Sequence, residues 1–142
     1  PGRRLMADPG SYLLVIECER STEIEVGALG DRTFEAGHYA YAGSAFGPGG
    51  LSRVDRHRRI AAGEHDVRHW HVDYLLGADA TRLAAVETFV DRDIECELAT
   101  ELSEAGCDRV ESFGASDCDC PSHLWGPAGR SALLDVAASL GV

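Results

Sequence analysis

In the opening third of the chain, short apolar runs are separated by turn-forming breaks. Gly10-Ser11-Tyr12-Leu13-Leu14-Val15-Ile16-Glu17 is almost continuously apolar and β-branched towards its end, which predicts a central strand. Glu23 to Val26 alternates and predicts a half-exposed strand. Gly30-Asp31 then supplies a turn, Arg32 to Phe34 a short extended piece, and His38 to Ala42 a further strand of the same sheet. Together these pieces predict a small antiparallel meander.

The period changes after Gly47-Pro48-Gly49-Gly50. Leu51 to Ala62 predicts a helix that stops at Gly63. At about 100° per residue, Leu51, Val54 and Ala61 share one side, and Ser52, Arg56 and Arg59 point away from it. Arg53 and His57, one turn apart, fall at the edge of that apolar stripe. His69 to Gly77 predicts a short helix on which Trp70 and Tyr74 read as core, and Leu83 to Val90 predicts a strand.

Asp91 to Ala105 predicts a second long helix, acidic at its start, with Gly106 past its end. Ile94, Leu98, Leu102 and Ala105 form its apolar stripe, and Glu97, Glu101 and Glu104 its solvated face. Glu95 lies on the margin of the stripe beside Ala99 and Leu102, where a carboxylate is costly unless it is paired or binds a metal. Phe113 to Trp125 is a loop leading into a short extended piece, and Ala132 to Leu140 has helical spacing. The expected fold is α/β (α+β): a small central, mostly antiparallel sheet flanked by helices. It forms one domain, with its core over about 10–125 and with 1–9 and 126–142 peripheral.

Composition changes this picture in three ways. The apolar runs are too short to span a membrane and no apolar leader follows the basic start, so a cytoplasmic protein is expected. The net charge is −11 and all 13 basic residues are Arg, as in a chain adapted to high salt such as that of a halophilic archaeon. So acidic a protein is a poor general ligand for nucleic acid, yet Leu51 to His71 holds five Arg and four His against Asp55, Glu64 and Asp66. With the glycine loop before it, this cationic helix could hold a phosphate. No P-loop lysine accompanies the loop, which argues against nucleotide binding.

The five cysteines, Cys18, Cys96, Cys107, Cys118 and Cys120, are expected as reduced thiols or metal ligands ahead of a disulfide framework. Cys118-x-Cys120-x₂-His123 offers soft ligands for Zn²⁺, with Cys107, His69 or His71 available to complete a tetrahedron. A pair of buried thiols under a rigid loop is the plainer reading and is slightly favoured.

With Gly10-Ser11-Tyr12 and Tyr41-Ala42-Gly43 as its two tripeptides, Arg53 on the next helix and Glu95 on the later one, the chain resembles the GIY-YIG nuclease superfamily. The stretches Ala36 to Ala45, His69 to Leu76, Glu95 to Ala99 and Phe113 to Leu124 are similar to its small stand-alone Uri-like endonuclease branch. Either tripeptide alone is a weak signal; the ordered set across residues 10–125 is specific. The chain departs from the family pattern in a long hairpin-like insertion, Glu17 to Ala36, between the tripeptides. It also has Ala42 in place of a β-branched residue, and it contains no Asn to close the site.

The resemblance implies metal-dependent hydrolysis of a DNA phosphodiester, on single-stranded or branched DNA, leaving a 5′-phosphate and a 3′-hydroxyl. Tyr12 or Tyr41 would orient and deprotonate water with His57 assisting, Arg53 would clamp the non-bridging oxygens, and Glu95 would hold one Mg²⁺ or Mn²⁺. Ser44, Arg56, Arg59, His69 and His71 are the expected DNA contacts. His69, His71 and Asp73 would line the DNA groove or stand behind the residues of the site as supports. The competing expectation is a catalytically silent nucleic-acid- or partner-binding module on the same scaffold, which the net charge of −11 and the missing Asn favour.

Overall fold

The long apolar run forms strand β1 (Gly10–Cys18), buried along nearly its whole length. A computed structural model of the protein describes residues 8–27, 30–46, 50–64, 71–107, 110 and 124–141. Strands β2 (Thr22–Glu25), β3 (Asp31–Phe34) and β4 (Gly37–Ala45) follow, then helices α1 (Ser52–Ala61) and α2 (His71–Leu76). Strand β5 (Thr81–Val90), helix α3 (Glu95–Glu104), strand β6 (Leu124–Ala128) and helix α4 (Arg130–Gly141) complete the described elements.

The main sheet has the order β5-β1-β4-β6 with every neighbouring pair antiparallel. Both faces are covered, so β1 needs no polar alternation. Tyr12, Leu14 and Ile16 point into one core with Val54 and Ile60 of α1 and Val72 and Leu75 of α2. Leu13 and Val15 point into the other with Leu98 and Leu102 of α3 and Leu133 and Val136 of α4. The fold is the expected mixed α and β arrangement, a helix-flanked antiparallel sheet.

The opening meander is corrected. Strands β2 and β3 pair only with each other, as a separate two-stranded ribbon. The two edges of β1 are taken by β4 and β5, which leaves β2 no partner in the main sheet. The ribbon instead contributes Ile24, Val26 and Phe34 to the core on the Tyr12 side.

The helix boundaries shift for local reasons. Asp91 has a positive φ of 60°, a conformation outside the helical region, and α3 begins only at Glu95, with Ile94 as its N-cap. On α3, Ala99 is buried and Ala105 exposed. On α1, Val54, His57 and Ile60 are the buried residues, so His57 sits within the stripe, while Ala61 is only partly covered. The expectation of reduced thiols fails at Cys96, which is disulfide-bonded; Cys18 and Cys107 are buried thiols. No helix among the described residues is long and apolar enough to cross a membrane.

Candidate active site

Antiparallel pairing of β1 with β4 sets the two tripeptides side by side: Gly10 opposes Ala45, Ser11 opposes Ser44, Tyr12 opposes Gly43 and Leu14 opposes Tyr41. Opposed residues share a face of the sheet, so Tyr12 and Tyr41 are diagonal neighbours on the α1 side. Their ring centroids are 6.4 Å apart. Gly43 makes this possible, because a Cβ there would stand 2.5 Å from both Cε2 and Oη of Tyr12. The Tyr12 ring lies across bare backbone.

From α1, His57 meets this pair with no solvent exposure. Its Nε2 is 2.9 Å from Tyr12 Oη, and its ring centroid is 5.4 Å from Tyr12 and 6.4 Å from Tyr41. One turn earlier, Arg53 donates from Nη1 to the Ser44 carbonyl at 2.6 Å and also hydrogen-bonds the Tyr12 side chain. The charge of Glu95, in the first turn of α3, acts on both phenols. Tyr12, Tyr41, Arg53, His57 and Glu95 therefore come together from four separate elements.

Ser11 steadies the approach of α3. Its buried hydroxyl donates to the Arg92 carbonyl at 2.7 Å and accepts the Ile94 N–H at 3.0 Å. The residue before Glu95 is thus tied to the residue before Tyr12.

Burial dominates the electrostatics. It raises the Tyr12 phenol far above its ordinary value, against the lowering influence of Arg53 and with further raising by Glu95 and Asp73. Tyr41 is raised well above its ordinary value for the same first reason, with the neighbouring Tyr12 next. His57 is lowered from 6.5 to about 4, first by burial, with Asp73 opposing and Arg56 and Arg53 reinforcing.

His57 consequently makes stability depend on pH. Between 6.5 and about 4 the unfolded chain binds a proton that the folded chain refuses, so this contribution to stability falls as pH drops through that window and levels off below it. The loss is on the order of a few kcal/mol at most. Urea unfolding at pH 7 and pH 4.5 should show a smaller difference for His57→Phe than for the wild type. An equal difference would mean that His57 is protonated in the fold.

The residues expected to contact DNA are dispersed in role. Arg56 does not point away from the protein: its Nη2 donates to the buried Asp73 Oδ2 at 2.9 Å. Arg59 is exposed and pairs with Asp55 at 3.0 Å. Ser44 is partly buried, with its carbonyl engaged by Arg53. His71 is the first residue of α2; His69 and the proposed zinc ligands Cys118, Cys120 and His123 lie outside the described residues. Among the described residues, no group of three or more His, Cys, Asp or Glu side chains could hold a metal ion.

Two contributors are not singled out by the sequence, Ser11 and Gly43, and Asp73, expected either in the groove or as a support, is placed against His57. The signal for Asp73 is legible in the sequence. That residue lies between Val72 and the apolar run Tyr74 to Leu76, where a carboxylate must find a partner.

The family described as "Domain of unknown function DUF123" matches this chain over residues 11–140. No curated protein and no solved structure matches it.

Proposed function

We propose that this chain, which belongs to the DUF123 family, is a metal-dependent endonuclease of the GIY-YIG type, of the small stand-alone Uri-like branch, acting on single-stranded or branched DNA. The observation that carries this reading is the convergence on one phenol: Tyr12 Oη meets His57 Nε2 at 2.9 Å, and Arg53 and Glu95 act on the same side chain. A buried core tyrosine also needs a hydrogen-bond partner; what a core role does not call for is a buried imidazole, a guanidinium and a carboxylate all acting on one phenol.

In the proposed reaction the Tyr12 hydroxyl, hydrogen-bonded to His57 Nε2, orients the attacking water and relays its proton in concert with attack on phosphorus, so that no free tyrosinate forms where burial disfavours one. The water oxygen bonds to phosphorus as the bond to the 3′ oxygen breaks. A 5′-phosphate remains, the departing oxygen becomes a 3′-hydroxyl by taking a proton from solvent, and the proton relayed from the attacking water is returned to solvent from the Tyr12–His57 pair. Arg53 offers donors to the non-bridging oxygens as charge builds on them. Glu95, partly exposed in the first turn of α3, fits a single Mg²⁺ or Mn²⁺ that keeps water in its other positions, because hard cations of this kind often bind through one carboxylate. Such an ion supplies stabilisation of negative charge on the leaving oxygen.

The burial of Tyr12, only 2% exposed, and the net charge of −11 favour a second reading, a catalytically silent module that binds nucleic acid or a partner protein. Labelled single-stranded, duplex and flap DNA incubated with Mg²⁺ or Mn²⁺ in high salt separates the two. Cleavage that drops at least about 100-fold in Arg53→Ala and in Glu95→Gln is expected. The exposed Glu97 is the control, and Glu97→Gln should cut like the wild type. Normal cleavage by both site variants would discard this site, and binding without cutting would establish the silent module.

A further inference from the structure

Asp73 is fully buried, and a buried carboxylate costs several kcal/mol unless its surroundings compensate. Arg56 does so on one side, through the 2.9 Å bond from its Nη2 to Oδ2. On the other side, Asp73 Oδ1 lies 3.8 Å from His57 Nδ1. That separation exceeds a hydrogen bond, but it is short enough for the carboxylate to act on the imidazole in a site from which water is excluded.

A neutral imidazole carries one N–H and one lone pair, so its two nitrogens must play opposite roles. With a lone pair on Nδ1, His57 would turn negative density towards the carboxylate. It would also place a second donor, Nε2–H, on a phenol oxygen that Arg53 already approaches. With the proton on Nδ1, the N–H dipole faces Asp73 and Nε2 is left to accept from the Tyr12 hydroxyl at 2.9 Å. The second arrangement gives the Tyr12 hydroxyl its acceptor and turns the positive end of the Nδ1–H dipole towards the carboxylate.

We propose that Asp73, held by Arg56, is a positioning residue that fixes His57 as its Nδ1–H tautomer and thereby commits Nε2 to receiving the Tyr12 proton. The consequence for catalysis rests on the nuclease reading, whereas the tautomer itself does not. Arg56 then belongs to the support of the site, and its place among the expected DNA contacts is given up.

The test is long-range ¹H–¹⁵N correlation spectroscopy of the His57 ring in the full chain near pH 7, with the signals assigned by their loss in His57→Gln. The wild type should show a protonated Nδ1 and an unprotonated Nε2. Asp73→Asn, which removes the negative charge that favours Nδ1–H, should shift both nitrogens towards the opposite tautomer or a mixture. A proton on Nε2 in the wild type overturns the proposal, and so does a His57 pattern unchanged by Asp73→Asn. Should that variant fail to fold, Arg56→Met combined with Asp73→Leu removes both charges while keeping apolar volume, and an unchanged tautomer there is equally fatal. Cleavage assays distinguish the two levels: the expected spectra in a protein that cuts no DNA leave the tautomer standing and remove only the nuclease reading.

Discussion

Tyr12→Phe should reduce the proposed cleavage by about 10²- to 10⁴-fold in kcat/KM, the range typical of losing a positioned acid–base group, while the chain stays folded. Phenylalanine keeps the ring that lies over Gly43 in the core shared with Leu51 and Val54. Only the hydroxyl is lost, and with it the 2.9 Å contact to His57. Leaving Nε2 without that donor costs about 1–3 kcal/mol, enough to lower the melting temperature without unfolding the protein. Tyr41→Phe should be milder on cleavage, since it leaves the Tyr12–His57 contact in place. Flap cleavage under single-turnover conditions, read beside thermal melting by circular dichroism, gives both quantities. A Tyr12→Phe variant whose cleavage stays within tenfold of the wild type would remove Tyr12 from the proposed chemistry.

Gly43→Ala should be the more damaging change structurally, although it adds one methyl group. The new Cβ would sit 2.5 Å from the Tyr12 oxygen, a separation that real atoms do not hold, so the ring or the β1–β4 pairing has to move. Overpacking of this sort costs about 1–3 kcal/mol. Because the displaced group is the phenol that meets His57, cleavage should fall as far as in Tyr12→Phe. The two variants differ in stability: Gly43→Ala loses packing, and Tyr12→Phe mainly a hydrogen bond. Near-normal activity in Gly43→Ala would show that the tyrosine can adopt another position without penalty, and would weaken the geometric case for the site.

What the sequence disclosed about the fold came from periodicity. The continuous apolar run of β1 is legible because burial on both faces removes alternation, and α1, α2 and α3 are legible because their apolar stripes recur at the helical period. Pairing is a different matter. The alternation of Glu23 to Val26 identifies a strand, but whether β2 joins β1 depends on β5, which lies far along the chain and occupies the second edge of β1. Asp91 illustrates the same limit at short range, since nothing in its side chain announces the positive φ that takes it out of the expected helix, which begins only at Glu95.

Within the candidate site, the sequence singled out five residues that the fold brings together, while misjudging their depth. A helical wheel puts His57 at the stripe edge. The width of the buried face is set by what lies opposite, and here two aromatic rings and Asp73 enclose it completely. Arg56 was assigned to solvent by the same wheel and is drawn inward by a carboxylate from α2. Ser11 and Gly43 matter through contacts made 81 or more residues away and across a strand pair respectively, and no local pattern encodes either.

The separate β2–β3 ribbon offers an engineering handle. It departs from the sheet where Cys18 opposes Gly37, six residues along β1 from the rung where Tyr12 opposes Gly43, which is about 20 Å of strand. The turn at its far end comes back to α2, where a Cβ added at Gly27 would meet the Tyr74 ring at 3.2 Å, one residue from Asp73. Changes in that turn would therefore act on α2 and Asp73 while leaving the β1–β4 rungs that hold the tyrosine pair untouched.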